Sequence, residues 1–117
     1  MMMTPVKENV DLFPYNTFGI HASARYLVTI TSLDEAVEIF QSDFFRQHPA
    51  LILGGGSNIL LTKDFDGLVI KNEIKGVSSV WEDDATLQLK IGSGENWHGL
   101  VMYCVDRNLG GIENLSL

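Results

Sequence analysis

The sequence predicts a mixed α+β fold, and three features of its patterning support this prediction. Apolar residues alternate with other residues from 24 to 30, as in a half-buried strand. A helical pattern follows after Ser32, and the short apolar run Ala50–Leu53 is typical of a buried strand. Several strands and one more helix follow. Because strands and helices do not alternate regularly along the whole chain, we do not expect a regular doubly wound sheet.

The first helix is bounded by clear sequence signals. Ser32 predicts its N-cap, and Glu35, three residues later, completes a capping box. Pro49 marks the end of the helical pattern. The predicted apolar stripe consists of Ala36, Val37, Phe40 and Phe44.

The second half of the chain predicts short strands and a hairpin. A turn at residues 64–67 leads into a strand at 68–71. Residues 77–81 and 86–91 form a predicted hairpin around the acidic turn between them. The remaining pattern predicts a last helix that begins after Asn96, its N-cap, and stops at Gly110 in a left-handed conformation. Its predicted apolar face consists of Trp97, Leu100, Val101, Cys104 and Val105.

Length and composition indicate one domain or one piece of one. The chain has 117 residues, of which 45% are apolar and 20% charged. We divide it into a β-α-β subdomain at about residues 16–72 and a second, β-rich part with a helix at about 73–117.

The charge balance excludes several function classes. Eight basic and 15 acidic residues give a net charge of −7, which disfavours binding to nucleic acid or to an anionic membrane surface. The apolar runs are too short to span a bilayer, and the N-terminus lacks the pattern of a secretory signal. A single cysteine, Cys104, fits a cytoplasmic protein. The three histidines are too scattered to predict a metal site.

A glycine cluster directly after the predicted buried strand is the most informative segment. Three consecutive glycines allow the backbone to approach a ligand closely, and successive amides can bind a phosphate. No lysine follows as in the Walker pattern, and no third glycine is spaced as in the dinucleotide fingerprint. The cluster therefore predicts either another kind of phosphate loop or only a tight turn. It comprises Leu53, Gly54, Gly55, Gly56, Ser57, Asn58 and Ile59.

Four segments in order resemble one enzyme family. They are residues 15–20 (Tyr-Asn-Thr-Phe-Gly-Ile), 51–58 (Leu-Ile-Leu-Gly-Gly-Gly-Ser-Asn), 92–98 (Gly-Ser-Gly-Glu-Asn-Trp-His) and 109–117 (Leu-Gly-Gly-Ile-Glu-Asn-Leu-Ser-Leu). Together they resemble the UDP-N-acetylenolpyruvoylglucosamine reductases, also called UDP-N-acetylmuramate dehydrogenases. Their order over about 100 positions is more specific than a single glycine loop.

The resemblance implies a fold, a cofactor and a reaction. The implied fold is an FAD-binding domain of the vanillyl-alcohol-oxidase (PCMH-like) type. The family uses FAD and hydride from NADPH to reduce the enolpyruvyl ether of a UDP-sugar, a cytoplasmic step of peptidoglycan synthesis that links it to cell wall biogenesis, cell shape and division. By motif match, the seven residues from Leu53 to Ile59 become the FAD-diphosphate loop.

The chain departs from the family in its length. It stops at Leu117, whereas the family continues with further flavin contacts, a substrate domain, and the catalytic serine, acidic residue and arginine. We therefore assign no catalytic residue and expect a truncated FAD-binding domain that is inactive alone. Apolar surface near the last helix is expected to promote self-association.

Two other functions remain open at this point. A non-catalytic nucleotide- or phosphate-binding module would need only the glycine cluster. A protein–protein interaction domain would use the glycines as turns alone.

Overall fold

The computed structural model describes residues 5–15, 19–54 and 62–111. The chain divides into two compact units, residues 1–74 and 75–117. The assignment of these parts to an FAD-binding domain whose substrate domain lies outside this chain stays a prediction. None of the described helices is both long and apolar enough to cross a membrane.

The first unit is built on a four-stranded mixed sheet. Its strands are β1 (Lys7–Asp11), β2 (Ser23–Ile30), β3 (Ala50–Leu53) and β4 (Phe65–Asn72), in the order β1-β2-β4-β3. β1 is antiparallel to β2, whereas β2, β4 and β3 are parallel. The predicted strand at 24–30 is confirmed as β2. β1 is not predicted from the sequence.

Each face of this sheet has its own apolar core. One face carries buried side chains from β2, β3 and β4 together with Leu12 and Ala22. On the other face, Val28, Leu68 and Ile70 pack with Ala36 and Ile39 of the first helix. Burial on both faces explains the continuous apolar run at 68–70 in the central strand β4.

The first helical region is two helices, and this corrects the prediction of one helix that ends at Pro49. α1 spans Leu33–Gln41 and α2 spans Asp43–Gln47. Ser42 ends the first and caps the second, because its Oγ accepts from the Phe45 N–H at 3.1 Å. The predicted N-cap at Ser32 is confirmed.

The predicted apolar stripe of α1 is wrong in part. Ala36 is buried as expected, but Val37 and Phe40 are 44% and 38% exposed. Ile39, which the stripe omitted, is fully buried against the sheet. The helix is therefore rotated so that positions 36 and 39, three residues apart, face the core.

β3 is an edge strand, which corrects the expectation of a buried one. Leu53 is fully buried, but Ile52 is 55% exposed. β4 also begins earlier than predicted, within the expected turn at 64–67. Gly67 fits into this strand because its backbone lies close to the carbonyl oxygen of Pro49. The same oxygen accepts a hydrogen bond from the Leu68 N–H at 2.8 Å.

The second unit contains the predicted hairpin and the last helix. β5 (Val77–Glu82) and β6 (Leu87–Ile91) pair antiparallel, and Asp83 Oδ1 accepts from the Ala85 and Thr86 N–H groups in the turn. α3 spans Trp97–Asp106, and the predicted N-cap Asn96 accepts from the Gly99 N–H at 2.8 Å. The predicted apolar face of this helix is wrong in part, because only Leu100, Val101 and Cys104 are buried, whereas Trp97 and Val105 are exposed.

The end of α3 differs from the prediction. Asn108, not Gly110, takes the left-handed conformation, with φ of 56°. The Asn108 N–H donates to the Val105 carbonyl and the Leu109 N–H to the Cys104 carbonyl. These two bonds form a Schellman motif with asparagine in the position where glycine is most common.

Candidate cofactor-binding site

The glycine cluster leaves the sheet at the carboxyl end of β3. The structure describes Leu53 and Gly54 of the predicted loop, whereas Gly55, Gly56, Ser57, Asn58 and Ile59 lie outside the described residues. Leu53 is fully buried in the core, so the chain is fixed in place immediately before the glycines. The role of the whole set as a diphosphate loop stays a prediction.

Gly54 is open on the side where other residues carry a side chain. A Cβ built at this position would meet no heavy atom within 4 Å. The space beside the backbone is therefore available to a ligand, as an FAD diphosphate bound by main-chain amides requires. In this respect the described part of the loop fits the cofactor that the sequence resemblance implies.

Lys71 contacts the start of the glycine cluster, and sequence reasoning missed it. Its Nζ donates a hydrogen bond to the carbonyl oxygen of Gly54. Lys71 is in register with Leu53 across the parallel pair β3–β4. The sequence does show a lysine directly after three apolar residues of a predicted strand. Only the register of β3 and β4, however, places this lysine beside the first glycine.

The N-terminus of α1 lies after the carboxyl end of β2 and is a second place where an anion could bind at this edge of the sheet. Glu35 already occupies it: its Oε1 accepts from the Thr31 N–H at 3.1 Å and from the Thr31 hydroxyl. A carboxylate at this position repels a second anion. The start of α1 is therefore a poor anion site, and the role of the glycine cluster after β3 stays a prediction.

The second glycine segment, residues 92–98, is a braced turn. Lys75 Nζ donates to the Gly94 carbonyl at 2.5 Å, and Glu95 Oε2 accepts from the Gly76 N–H at 3.1 Å. The Gly92 N–H donates to the Gly76 carbonyl at 2.7 Å. These contacts connect the end of β6 to the start of β5 immediately before α3, so the described geometry gives this segment a structural role.

The other polar candidates are paired, stacked or buried in their own surroundings. Arg25 is near the amino ends of β2 and β4 and forms a 3.4 Å ion pair with Asp66. His21 Nδ1 lies 2.7 Å from Asp11 Oδ2, and its ring stacks on Phe13. His48 packs against Tyr26 and Phe44, and Cys104 is buried. No cluster of metal-ligating side chains occurs within the described ranges, and the absence of a metal site stays an expectation.

Comparison with known proteins assigns the family. A family model described as an FAD binding domain matches residues 24–117. The chain belongs to this FAD-binding family. The predicted α+β FAD-binding class is therefore confirmed, and FAD is the cofactor type of the family.

Individual relatives carry the name that the sequence motifs suggested. A UDP-N-acetylenolpyruvoylglucosamine reductase of Amoebophilus asiaticus is 45% identical over 112 residues, which are 96% of this chain and 33% of the relative. The reductase of Neisseria gonorrhoeae is 44% identical over 115 residues, 98% of this chain and 33% of the relative. The resemblance to this reductase family is confirmed, and the chain spans about a third of the length of these relatives.

A solved structure supports the fold. The crystal structure of a UDP-N-acetylenolpyruvylglucosamine reductase from Thermus caldophilus matches with a TM-score of 0.66 over 97% of this chain and 38% of that chain. At 22% sequence identity this match is evidence for the fold alone.

Proposed function

We propose that this chain is the FAD-binding portion of an NADPH-dependent reductase that converts UDP-N-acetylglucosamine enolpyruvate to UDP-N-acetylmuramate in peptidoglycan synthesis. The observation that carries the proposal is the identity of 45% and 44% to two named reductases over nearly the whole of this chain. The proposed partners are the UDP-sugar and NADPH, and the proposed location is the cytoplasm.

The residues of this chain bind and orient the cofactor in this proposal. Bound FAD supplies the redox chemistry between NADPH and the enolpyruvyl group. The buried Leu53 fixes the start of the loop, the open side of Gly54 admits the diphosphate, and the amides of the following residues through Ile59 bind it. Backbone donors allow an acidic protein to hold an anion without a cluster of arginines and lysines.

The proposal assigns no chemical step to a side chain of this chain. Proton delivery to the substrate and polarisation of its carboxylate need acid–base and cationic groups at the reacting carbon. The sequence resemblance implies that the family's catalytic groups lie in the part of the relatives that this chain does not span. The chain alone is therefore proposed to be inactive.

The test of the proposed function uses the full-length protein. We expect it to purify with a flavin absorption band and to oxidise NADPH only when the enolpyruvyl UDP-sugar is present. A colourless protein that gains no flavin absorbance after FAD is added would contradict the proposal. Binding of phosphate compounds without flavin would instead favour a non-catalytic phosphate-binding module.

The loop assignment has its own test in the full-length protein. Gly55→Val places two methyl groups where the backbone must approach the diphosphate, so we expect FAD affinity to fall about tenfold or more. The fold should persist, which circular dichroism would show. An unchanged flavin titration would mean that the glycines serve only as a turn.

Self-association of the isolated chain is also proposed. An apolar groove of about 390 Å³ lies between β6 and α3 and is lined by side chains that include Leu89, Leu100 and Cys104. Sedimentation velocity of the isolated chain at increasing concentration would test it, and a monomer at all concentrations would contradict it.

A further inference from the structure

Lys71 occupies an unusual position for a cation. It follows three fully buried residues, Leu68 to Ile70, and is itself only half-exposed. Its neighbours in register are Thr29 on β2 and Leu53 on β3, so it lies in the last full row of the parallel part of the sheet. The carboxyl ends of parallel strands are where open α/β sheets bind ligands.

The charge of Lys71 is not neutralised by a described carboxylate. The ion pairs within residues 5–15, 19–54 and 62–111 join His21 to Asp11, Arg25 to Asp66 and Arg46 to Asp43. Lys71 instead donates to the carbonyl oxygen of Gly54, the first glycine of the cluster. A positive charge is thus retained beside the proposed anion site of a protein whose net charge is −7.

From this geometry we infer that Lys71 is a positioning residue for FAD: it anchors the Gly54 carbonyl at the point where the chain leaves β3 for the glycine cluster. The inference rests on the proposed function and adds to it a residue outside the cluster. Lys71 acts through the backbone of Gly54, and its charge adds a favourable field for the diphosphate.

Two measurements test this inference with four proteins: wild type, Lys71→Met, Lys71→Arg and Lys90→Met. Lys71→Met removes both donor and charge, and Lys71→Arg keeps both. Lys90→Met is the matched control, because Lys90 is an exposed lysine on β6 and its loss changes the net charge equally.

The first measurement is amide hydrogen exchange of the 117-residue chain without cofactor. We expect Lys71→Met to speed exchange about tenfold in peptides that span residues 50–54, since one charge-assisted hydrogen bond at the end of β3 is lost. Lys71→Arg should restore most of the protection, and Lys90→Met should match the wild type. Unchanged exchange in Lys71→Met would overturn the anchoring role.

The second measurement is FAD titration of the full-length variants. We expect Lys71→Met to raise the Kd for FAD about tenfold and Lys71→Arg to raise it less than about threefold. Weaker FAD binding with unchanged hydrogen exchange would overturn positioning in favour of a purely electrostatic role. Failure of the wild type to bind FAD would refute the proposed function, and the exchange result would still decide whether Lys71 anchors the loop.

Discussion

Gly67, which has no side chain, allows the starts of β3 and β4 to lie side by side. A Cβ at this position would lie 2.4 Å from the Pro49 carbonyl oxygen and 2.9 Å from the Phe65 ring. The same carbonyl accepts the Leu68 N–H, so it cannot move away without losing a hydrogen bond at the start of the β3–β4 pair. Glycine is therefore required at the point where β3 reaches its neighbour.

We expect Gly67→Ala to lower the free energy of unfolding by about 1–3 kcal/mol, because the backbone must separate to admit the methyl group. Urea unfolding followed by circular dichroism would measure this. Gly54→Ala is the matched control: its Cβ meets no atom within 4 Å, so a change within about 0.5 kcal/mol is expected. Equal effects of the two variants would contradict the steric argument.

Asp11 connects β1 to the loop before β2. Its pKa is held below the ordinary value, first by the hydrogen bond from His21 and then by the hydrogen bond from the Phe13 N–H. Because the folded pKa lies below the unfolded one, the stabilisation is present above the unfolded value. It is lost as the pH falls through the folded pKa.

Asp11→Asn should therefore be less stable than the wild type near neutral pH, and the difference should narrow as the pH falls below the ordinary Asp pKa of about 3.9 and through the lower folded value. Urea unfolding of both proteins at several pH values provides the measurement. Glu8→Gln, on the same strand, is the control. A difference that stays constant with pH would show that the carboxylate charge is not involved.

At the scale of elements, local signals were predictable and long-range pairing was not. The cap residues Ser32 and Asn96 and the β5–β6 hairpin depend on neighbours in sequence, and they are confirmed. β1, with the sequence KENVD, lacks an apolar pattern and is a strand because β2 pairs with it. The edge position of β3 follows from the strand order, which patterning does not encode.

The candidate site shows the same division. The glycine cluster was visible as a motif, whereas Lys71 comes close to Gly54 only through the parallel register of β3 and β4. Seventeen positions separate the two residues along the chain, and no local pattern relates them. Sequence reasoning could name the backbone part of the candidate site and not the lysine that contacts its first glycine.

Ser42 provides a prediction for the α1–α2 boundary. Its Oγ accepts from the Phe45 N–H and donates to the Ile39 carbonyl at 2.6 Å, so it satisfies both helix ends. Ser42→Ala should cost about 1 kcal/mol or somewhat more in unfolding free energy. Urea unfolding would measure it, with the exposed Gln41→Ala expected to stay within about 0.5 kcal/mol. Equal stabilities would show that the helix break does not depend on the hydroxyl.

At the scale of the whole molecule, the chain spans about a third of its named relatives. We expect the 117-residue chain to show no reductase activity and no stably bound FAD. A few amide–phosphate bonds must offset several kcal/mol of lost translational and rotational freedom. The sequence resemblance implies that the family's other flavin contacts lie in the part of the relatives that this chain does not span. A flavin fluorescence titration beside the full-length protein is the measurement. Equal sub-micromolar affinity in both would contradict the expectation.

The division into two units has a spectroscopic consequence. Both tryptophans of the chain, Trp81 and Trp97, belong to the second unit, and they are 52% and 42% exposed. Tryptophan emission therefore follows the unfolding of residues 75–117 alone, whereas circular dichroism records both units. Non-coincident denaturation curves from the two signals would mean that a single unfolding free energy does not describe the chain. Variants at Gly67 or Ser42 would then shift the dichroism curve and leave the tryptophan curve in place.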